Sequence, residues 1–362
     1  MNRVSVNKRA ARLLFLFVSV ALLSACSDPS PNAFKLSGST MGTSYHITVL
    51  ESTVLESAVV GRTVVEREGV ETQQADLKIA IEQQLLLIDQ QMSTYKEDSE
   101  LSRLNDALVD EWVKLSPDLL TVLMLSLELG WLSNGAFDIT VGPLVKLWGF
   151  GPGGIDRADS VPTAAKITDR LKQTGFQHIE FNLATGEIRK RRLVTLDLSA
   201  IAKGYGVDKV AELLLYAGFT DFMVEIGGEL RLQGNSPRGT PWRIAIEQPD
   251  ASFGAAYQTV KLSGVGMATS GDYRNYFEQE GKRYSHIIDP ATGYPIDHAL
   301  ASVTVIAETA AYADGLATAI NVMGPEKGLK LAQQQGLAVY MIMKTKQGFA
   351  AAYSDAFKPY LE

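Results

Sequence analysis

Three short segments of this 362-residue chain carry residue types that could handle a charged phosphate group. In Asp197-Leu198-Ser199-Ala200-Ile201-Ala202-Lys203-Gly204-Tyr205, a strand-like apolar run ends at the acid and a helical pattern begins just after it. Such a junction turns backbone N–H groups and a lysine toward one spot, which suits a diphosphate. The same residues also read as an Asp/Ser cap beside a solvated lysine. In Asp314-Gly315-Leu316-Ala317-Thr318, the Asp and Thr stand at i and i+4 and share one helix face. Two hard oxygen donors there suit Mg²⁺, which completes its shell with water and substrate phosphate. The plainer alternative is an acid in the first turn and a threonine bonding back to its own helix. In Ser285-His286-Ile287-Ile288-Asp289-Pro290-Ala291-Thr292-Gly293, a strand runs into a Pro/Gly turn with His286 near its end. That histidine is either a general base or a group hydrogen-bonded at a sheet margin.

Other constellations are absent. There is no Gly-x-x-x-x-Gly-Lys-Ser/Thr phosphate loop and no Gly-x-Ser-x-Gly nucleophile elbow. The four histidines, 46, 178, 286 and 298, lack metal-ligand spacing, which argues against a zinc hydrolase. One cysteine excludes an internal disulfide framework, and a formal charge of −7 argues against a general nucleic-acid binder. The Gly-rich run 149–154 could cradle an anion or be a plain loop.

The elements that must position these residues follow from periodicity. Residues 34–50 read as strand, turn and strand, and 51–75 as a long loop or extended hairpin. Asp76 is placed to cap a helix with Leu77, Ile81, Leu85, Ile88 and Met92 on its apolar face. Ser116-Pro117 starts a second helix that stops at Asn134-Gly135. Residues 135–154 read as a structured loop, 163–174 as a helix, and 179–182 with 187–190 as a hairpin. A buried strand is expected over 194–198 and a helix over 201–217. Strands follow at 222–226, 242–247, 258–262, 265–269, 301–307 and 338–343, with a hairpin around Gly281 and helices over 310–323 and 326–335. Strands cluster after residue 179, so the class is α+β: a mixed, largely antiparallel sheet with packed helices in a single domain over 34–362.

The first 25 residues are not fold. Arg3, Lys8, Arg9 and Arg12 precede an apolar run from Leu13 to Leu23, as in a secretory signal. Leu23-Ser24-Ala25-Cys26 resembles a bacterial lipobox, and the sole cysteine sits at the lipidated position. Cleavage would leave 337 residues at formal charge −11, tethered by residues 26–33 and anchored through acyl chains at about 0.8 kcal/mol per buried CH₂. The expected place is the periplasmic side of the inner membrane.

Taken together, the segments resemble the ApbE family of FAD:protein FMN transferases across nearly all of the mature chain. The resemblance rests on Gly38-Ser39-Thr40-Met41-Gly42-Thr43, Met92-Ser93-Thr94-Tyr95, Gly135-Ala136-Phe137-Asp138 and Leu147-Trp148-Gly149. It continues through 197–205, Glu225-Ile226-Gly227-Gly228-Glu229, Thr269-Ser270-Gly271-Asp272, 285–293 and Ala313-Asp314-Gly315-Leu316-Ala317-Thr318. It implies binding of FAD and Mg²⁺, transfer of the FMN half to a Thr or Ser hydroxyl of another protein, and release of AMP. Implied acceptors include subunits of sodium-pumping NADH:quinone reductase and Rnf complexes. By the same resemblance Met41, Tyr95, Ala136, Phe137, Asp138, Asp197, Lys203 and Ile288 line the FAD site. The Ala200 carbonyl, Asp314 and Thr318 hold the metal, and His286 activates the acceptor hydroxyl. The 51–75 stretch looks longer than the usual family loop. Two other activities share these motifs: an FAD diphosphatase that uses water, and a lipid-anchored flavin-binding protein without turnover.

Overall fold

The computed structural model describes residues 32–51, 70–151, 161–249, 255–272 and 275–362. The segment expected to be a signal sequence, Cys26 and most of the 51–75 stretch lie outside these. The first part of the chain forms β1 (Ala33–Thr40), β2 (Thr43–Leu50), α1 (Val70–Met92), α2 (Glu100–Asp106), β3 (Val113–Lys114), α3 (Pro117–Leu132), α4 (Gly142–Leu147) and α5 (Ala164–Leu171). The middle forms β4 (Ile179–Asn182), β5 (Glu187–Lys190), α6 (Ala202–Tyr216), β6 (Phe222–Ile226), β7 (Glu229–Gln233), β8 (Trp242–Glu247) and β9 (Ala256–Leu262). Then come β10 (Val265–Gly271), β11 (Tyr276–Gln279), β12 (Lys282–Ser285), β13 (Leu300–Ala307), α7 (Ala310–Gln335), β14 (Ala338–Thr345) and β15 (Gly348–Tyr353).

Eight strands form one sheet in the order β1-β2-β6-β7-β10-β13-β14-β15, and every pairing among the described strands is antiparallel. The expected α+β class holds. Alternation along the strands sends one set of side chains to each face. Ala268, Val303, Val305, Val339 and Met341 face α7 and α3, whereas Met267, Ile306, Tyr340 and Ile342 face β8, β9 and Phe357. Strand β13 is buried on both faces, its apolar residues broken only by the buried Ser302 and Thr304.

Two helices carry the phosphate-type motifs, and their approach to each other depends on backbone lacking Cβ atoms. A Cβ at Gly204 in α6 would stand 2.5 Å from the Ala310 carbonyl oxygen. One at Gly266 in β10 would stand 2.7 Å from Ala310 Cα. The start of α7 therefore presses against both α6 and the sheet. It is capped by the Thr309 hydroxyl, which accepts the Tyr312 N–H at 3.2 Å, and by the Asp208 carboxylate, which accepts Ala310 and Ala311 N–H at 2.9 and 2.8 Å. Substituting Gly266 by Ala is expected to destabilise the protein by about 1–3 kcal/mol, because neither backbone can move away freely. An unchanged denaturation midpoint would contradict this.

Several sequence expectations are corrected. Helix α1 begins at Val70, not at Asp76, so residues 70–75 belong to a helix and not to a loop. Residues 142–147, read as loop, form α4, with Pro143 in its first turn. Residues 194–198 are extended and alternate in burial but are not a sheet strand. The Asn105 side chain occupies that backbone instead, donating to the Leu196 carbonyl at 3.0 Å and accepting the Leu196 N–H at 2.7 Å. Helix α7 breaks at Gly324 (φ 78°, ψ 175°) ahead of Pro325, where the sequence reading separated two helices.

Candidate active site

A cleft of about 640 Å³ collects the motifs from separate parts of the chain. Tyr95 after α1, and Ala136, Phe137 and Asp138 before α4, line one part of it. Asp197, Ala200 and Lys203 at the entry to α6 line another, with His286 and Ile288 after β12, and Asp314 and Thr318 on α7. Of the expected residues only Met41 is missing from the wall. It closes the β1–β2 turn at φ 47°, and its Cε lies against Gly206.

The centre of the cleft is a buried charge cluster. Lys203 Nζ lies 3.0 Å from Glu229 Oε1 and 3.7 Å from Asp314 Oδ2. Burial works against the Lys203 ammonium, but Asp314 and Glu229 outweigh it and raise its pKa above the ordinary lysine value. Burial raises both carboxyl pKa values, with Lys203 pulling each back. Two carboxyls share one ammonium, and burial pushes the Glu229 pKa up to about 8, so a further cation would be needed to hold both ionised near pH 7. Glu229 Oε2 is buried without a hydrogen-bond partner.

The oxygen donors of this cluster suit a hard cation. Gly204 N–H, in the first turn of α6, donates to Asp314 Oδ2 at 3.1 Å. Among the described residues no N–H closes on the Ala200 carbonyl, and no hydrogen bond reaches Asp314 Oδ1. The Thr318 hydroxyl makes no back-bond to its helix, unlike Ser126 and Ser133, whose hydroxyls each donate to the carbonyl four residues earlier at 2.7 Å. A carbonyl, a carboxylate oxygen and a hydroxyl from residues lining the cleft are thus left with unused acceptor capacity. That is the donor set Mg²⁺ prefers.

The remaining residues divide into wall and support. His286 Nδ1 lies 2.9 Å from the Asn275 carbonyl oxygen. A carbonyl only accepts, so Nδ1 carries the proton and the neutral ring keeps its lone pair on Nε2. Burial lowers the His286 pKa, which keeps it neutral near pH 7. Asp138 lines the cleft but its carboxylate is engaged. Oδ1 accepts the Thr140 N–H and hydroxyl at 2.8 and 2.6 Å, and Oδ2 accepts Phe176 N–H at 3.1 Å. Asp197 accepts Ser199 N–H at 2.8 Å, forming the turn that leads into α6. Tyr95 lines the cleft yet is 69% exposed. Glu229 stands inside the Glu225–Glu229 motif, where the sequence assigns it no role. An acid after Gly227-Gly228 reads as an exposed turn residue, and only the tertiary approach of Lys203 reveals a buried one.

The class of protein this fold defines is the flavin transferases. The flavin transferase ApbE of Vibrio cholerae superposes with a TM-score of 0.80 at 42% identity, covering 91% of this chain and 100% of that one. The apo flavinyl transferase ApbE of Pseudomonas stutzeri does so with a TM-score of 0.80 at 38% identity, covering 91% and 97%. The ApbE family model matches residues 41–341. A curated FAD:protein FMN transferase of Vibrio cholerae is 43% identical over 350 residues, covering 96% of this chain and 98% of its own. One from Haemophilus influenzae is 41% identical over 95% of this chain and 96% of its own. The chain belongs to the ApbE family.

Proposed function

We propose that this chain is an FAD:protein FMN transferase that works with Mg²⁺ and releases AMP. The observation that carries this reading is the meeting of Lys203, Asp314, Thr318, the Ala200 carbonyl and His286 in one cleft. The diphosphate of FAD lies by Lys203. Mg²⁺, held by Ala200, Asp314 and Thr318, supplies charge neutralisation on the diphosphate when bound. The acceptor Thr or Ser oxygen forms a bond to the FMN phosphorus as the bond from that phosphorus to the AMP oxygen breaks, in line. His286 takes the hydroxyl proton on Nε2, and the electron pair of the broken bond leaves with AMP. Lys203 stays ammonium throughout and opposes the charge gathering on the leaving phosphate.

Measuring AMP and flavinylated acceptor in the same reaction tests the stoichiometry. Equal amounts are expected, with both lost on adding EDTA and restored by Mg²⁺. AMP in excess of modified acceptor would favour hydrolysis. The pH dependence follows from His286. A base must be neutral to act, and burial holds this one below the ordinary histidine value of about 6.5. Transfer is therefore expected to hold steady from pH 8 to 6.5 and to fall only below that. His286→Gln is expected to cut kcat by about 10²–10³-fold, to remove the acid limb and to leave FAD binding within a few-fold. A limb that persists in the variant would assign it to another group.

The acceptors are proposed to be extracytoplasmic flavoproteins with a Ser/Thr flavinylation motif, such as subunits of sodium-pumping NADH:quinone reductase or Rnf complexes. The lipobox-like Leu23–Cys26 sequence supports a lipid anchor on the periplasmic side of the inner membrane. Among the described residues no helix is long and apolar enough to cross a membrane. Cys26→Ala is expected to move the protein from the membrane to the soluble fraction. Unchanged membrane association would refute the anchor.

A further inference from the structure

The buried acid that the sequence left without a role has a specific geometry. The β6–β7 connection is the two-residue turn Gly227-Gly228, both at positive φ (60° and 104°), the chemistry of a tight hairpin. The Gly228 N–H is tied to Glu225 Oε1 at 2.7 Å, and the Gly227 N–H to the Ser44 carbonyl at 3.1 Å. The turn is therefore held from both sides, and Glu229, the first residue of β7, is fixed at its end. Glu229 is 4% exposed, yet it lines the cleft, and its Oε2 has no partner. Its Oε1 takes Lys203 Nζ at 3.0 Å, while the same ammonium stands off at 3.7 Å from Asp314 Oδ2. Lys203 is thus seated on Glu229 and only near Asp314.

We propose that Glu229 is a positioning residue that holds the Lys203 ammonium off Asp314, leaving the Asp314 carboxylate available to a divalent cation. This rests on the cation reading of Asp314 and deepens it. Without Glu229 the ammonium is left with one carboxylate. It closes on Asp314, already 3.7 Å away, and competes with the cation there. A flexible four-carbon stem allows that shift. The same tether sets where Lys203 meets a diphosphate, so phosphate positioning and cation access depend on one buried carboxylate supplied by the sheet.

The test separates position from charge. Mn²⁺ is titrated into the full mature chain with ADP present as a diphosphate that cannot transfer FMN, and free Mn²⁺ is read by electron paramagnetic resonance. Asp314→Asn serves as the control. Glu229→Asp keeps the charge but shortens the arm by one carbon, beyond easy reach of Lys203. It is expected to weaken Mn²⁺ binding about tenfold, equivalent to about 1.4 kcal/mol. Glu229→Gln is expected to weaken it at least as much. Full Mn²⁺ affinity in Glu229→Asp would overturn the proposal, because the charge of Glu229, not its hold on Lys203, would then be what matters. Wild-type protein that binds no Mn²⁺, or binds it equally in Asp314→Asn, would overturn the cation reading itself and this inference with it. Thermal melts of each variant confirm that the folded chain is titrated.

Discussion

Replacing Asp314 by Asn is expected to lower the rate of FMN transfer by about 10³-fold while leaving the protein at least as stable. Asn keeps the shape and still offers an oxygen to the Gly204 N–H, which Asp314 Oδ2 accepts at 3.1 Å. It removes one of two carboxylates buried around a single ammonium, each of whose pKa values burial has raised. Folding loses nothing by that change, since a buried like charge is relieved. Catalysis loses the anionic oxygen donor of the proposed cation site, and preorganised charge of this kind supplies several kcal/mol to phosphoryl transfer. Single-turnover transfer and a thermal melt of the same preparation check both halves. Transfer within tenfold of the wild type would contradict the assignment, and a strongly lowered melt would mean that Asp314 serves the fold first.

The opposite pattern is expected at Lys203. Lys203→Met leaves Glu229 and Asp314 buried without a counter-charge, and breaking such a cluster from one side costs about 3–5 kcal/mol. The loss has a sign in pH. Two carboxyls with raised folded pKa values destabilise the fold increasingly as pH climbs above their unfolded range near 4. The variant is therefore weakest at neutral and alkaline pH and recovers toward pH 4–5, where both carboxyls are protonated. In the wild type the two raised carboxyls act in the same direction but more weakly, because Lys203 pulls both back and its own raised pKa keeps its contribution intact at every pH below the ordinary lysine value. Adding Glu229→Gln to the Lys203→Met chain is expected to restore much of the stability, and equal denaturation midpoints for wild type and Lys203→Met at pH 7.5 would refute the cluster's role. Transfer is also lost in the variant, so Asp314 and Lys203 are separated by stability, not by activity.

How far the sequence reveals this arrangement depends on the range of each determinant. Strands over 179–182, 187–190, 222–226 and 242–247 match their expected bounds, because alternation and flanking turns are local signals. The Ser116 cap and the break in α7 at Gly324-Pro325 were equally local. Where a distant residue decides, the reading fails. Residues 194–198 have a strand's composition, but Asn105 takes the Leu196 backbone bonds and the Asp197 N–H goes to the Ile139 carbonyl. Strand β15 is Ala-rich and mostly exposed, and it forms because β14 offers an open edge. The site shows the same division. The motif residues around Lys203, Asp314 and His286 were readable segment by segment, and the structure brings them to one cleft. Glu229 was not readable, since its burial comes from the approach of a helix more than twenty residues earlier in the chain. Asp138 was placed on the wall, but its carboxylate is spent on the Thr140 and Phe176 backbone, which no local pattern announces.

The cleft is proposed to move FMN from FAD onto a protein hydroxyl. The most direct test incubates the soluble chain lacking residues 1–26 with FAD, Mg²⁺ and an acceptor domain carrying a Ser/Thr flavinylation motif, then weighs the intact acceptor by mass spectrometry. The account predicts a gain of one FMN, absent when the acceptor's motif Thr is changed to Ala and absent with Asp314→Asn enzyme. An acceptor of unchanged mass beside free FMN and AMP would contradict it.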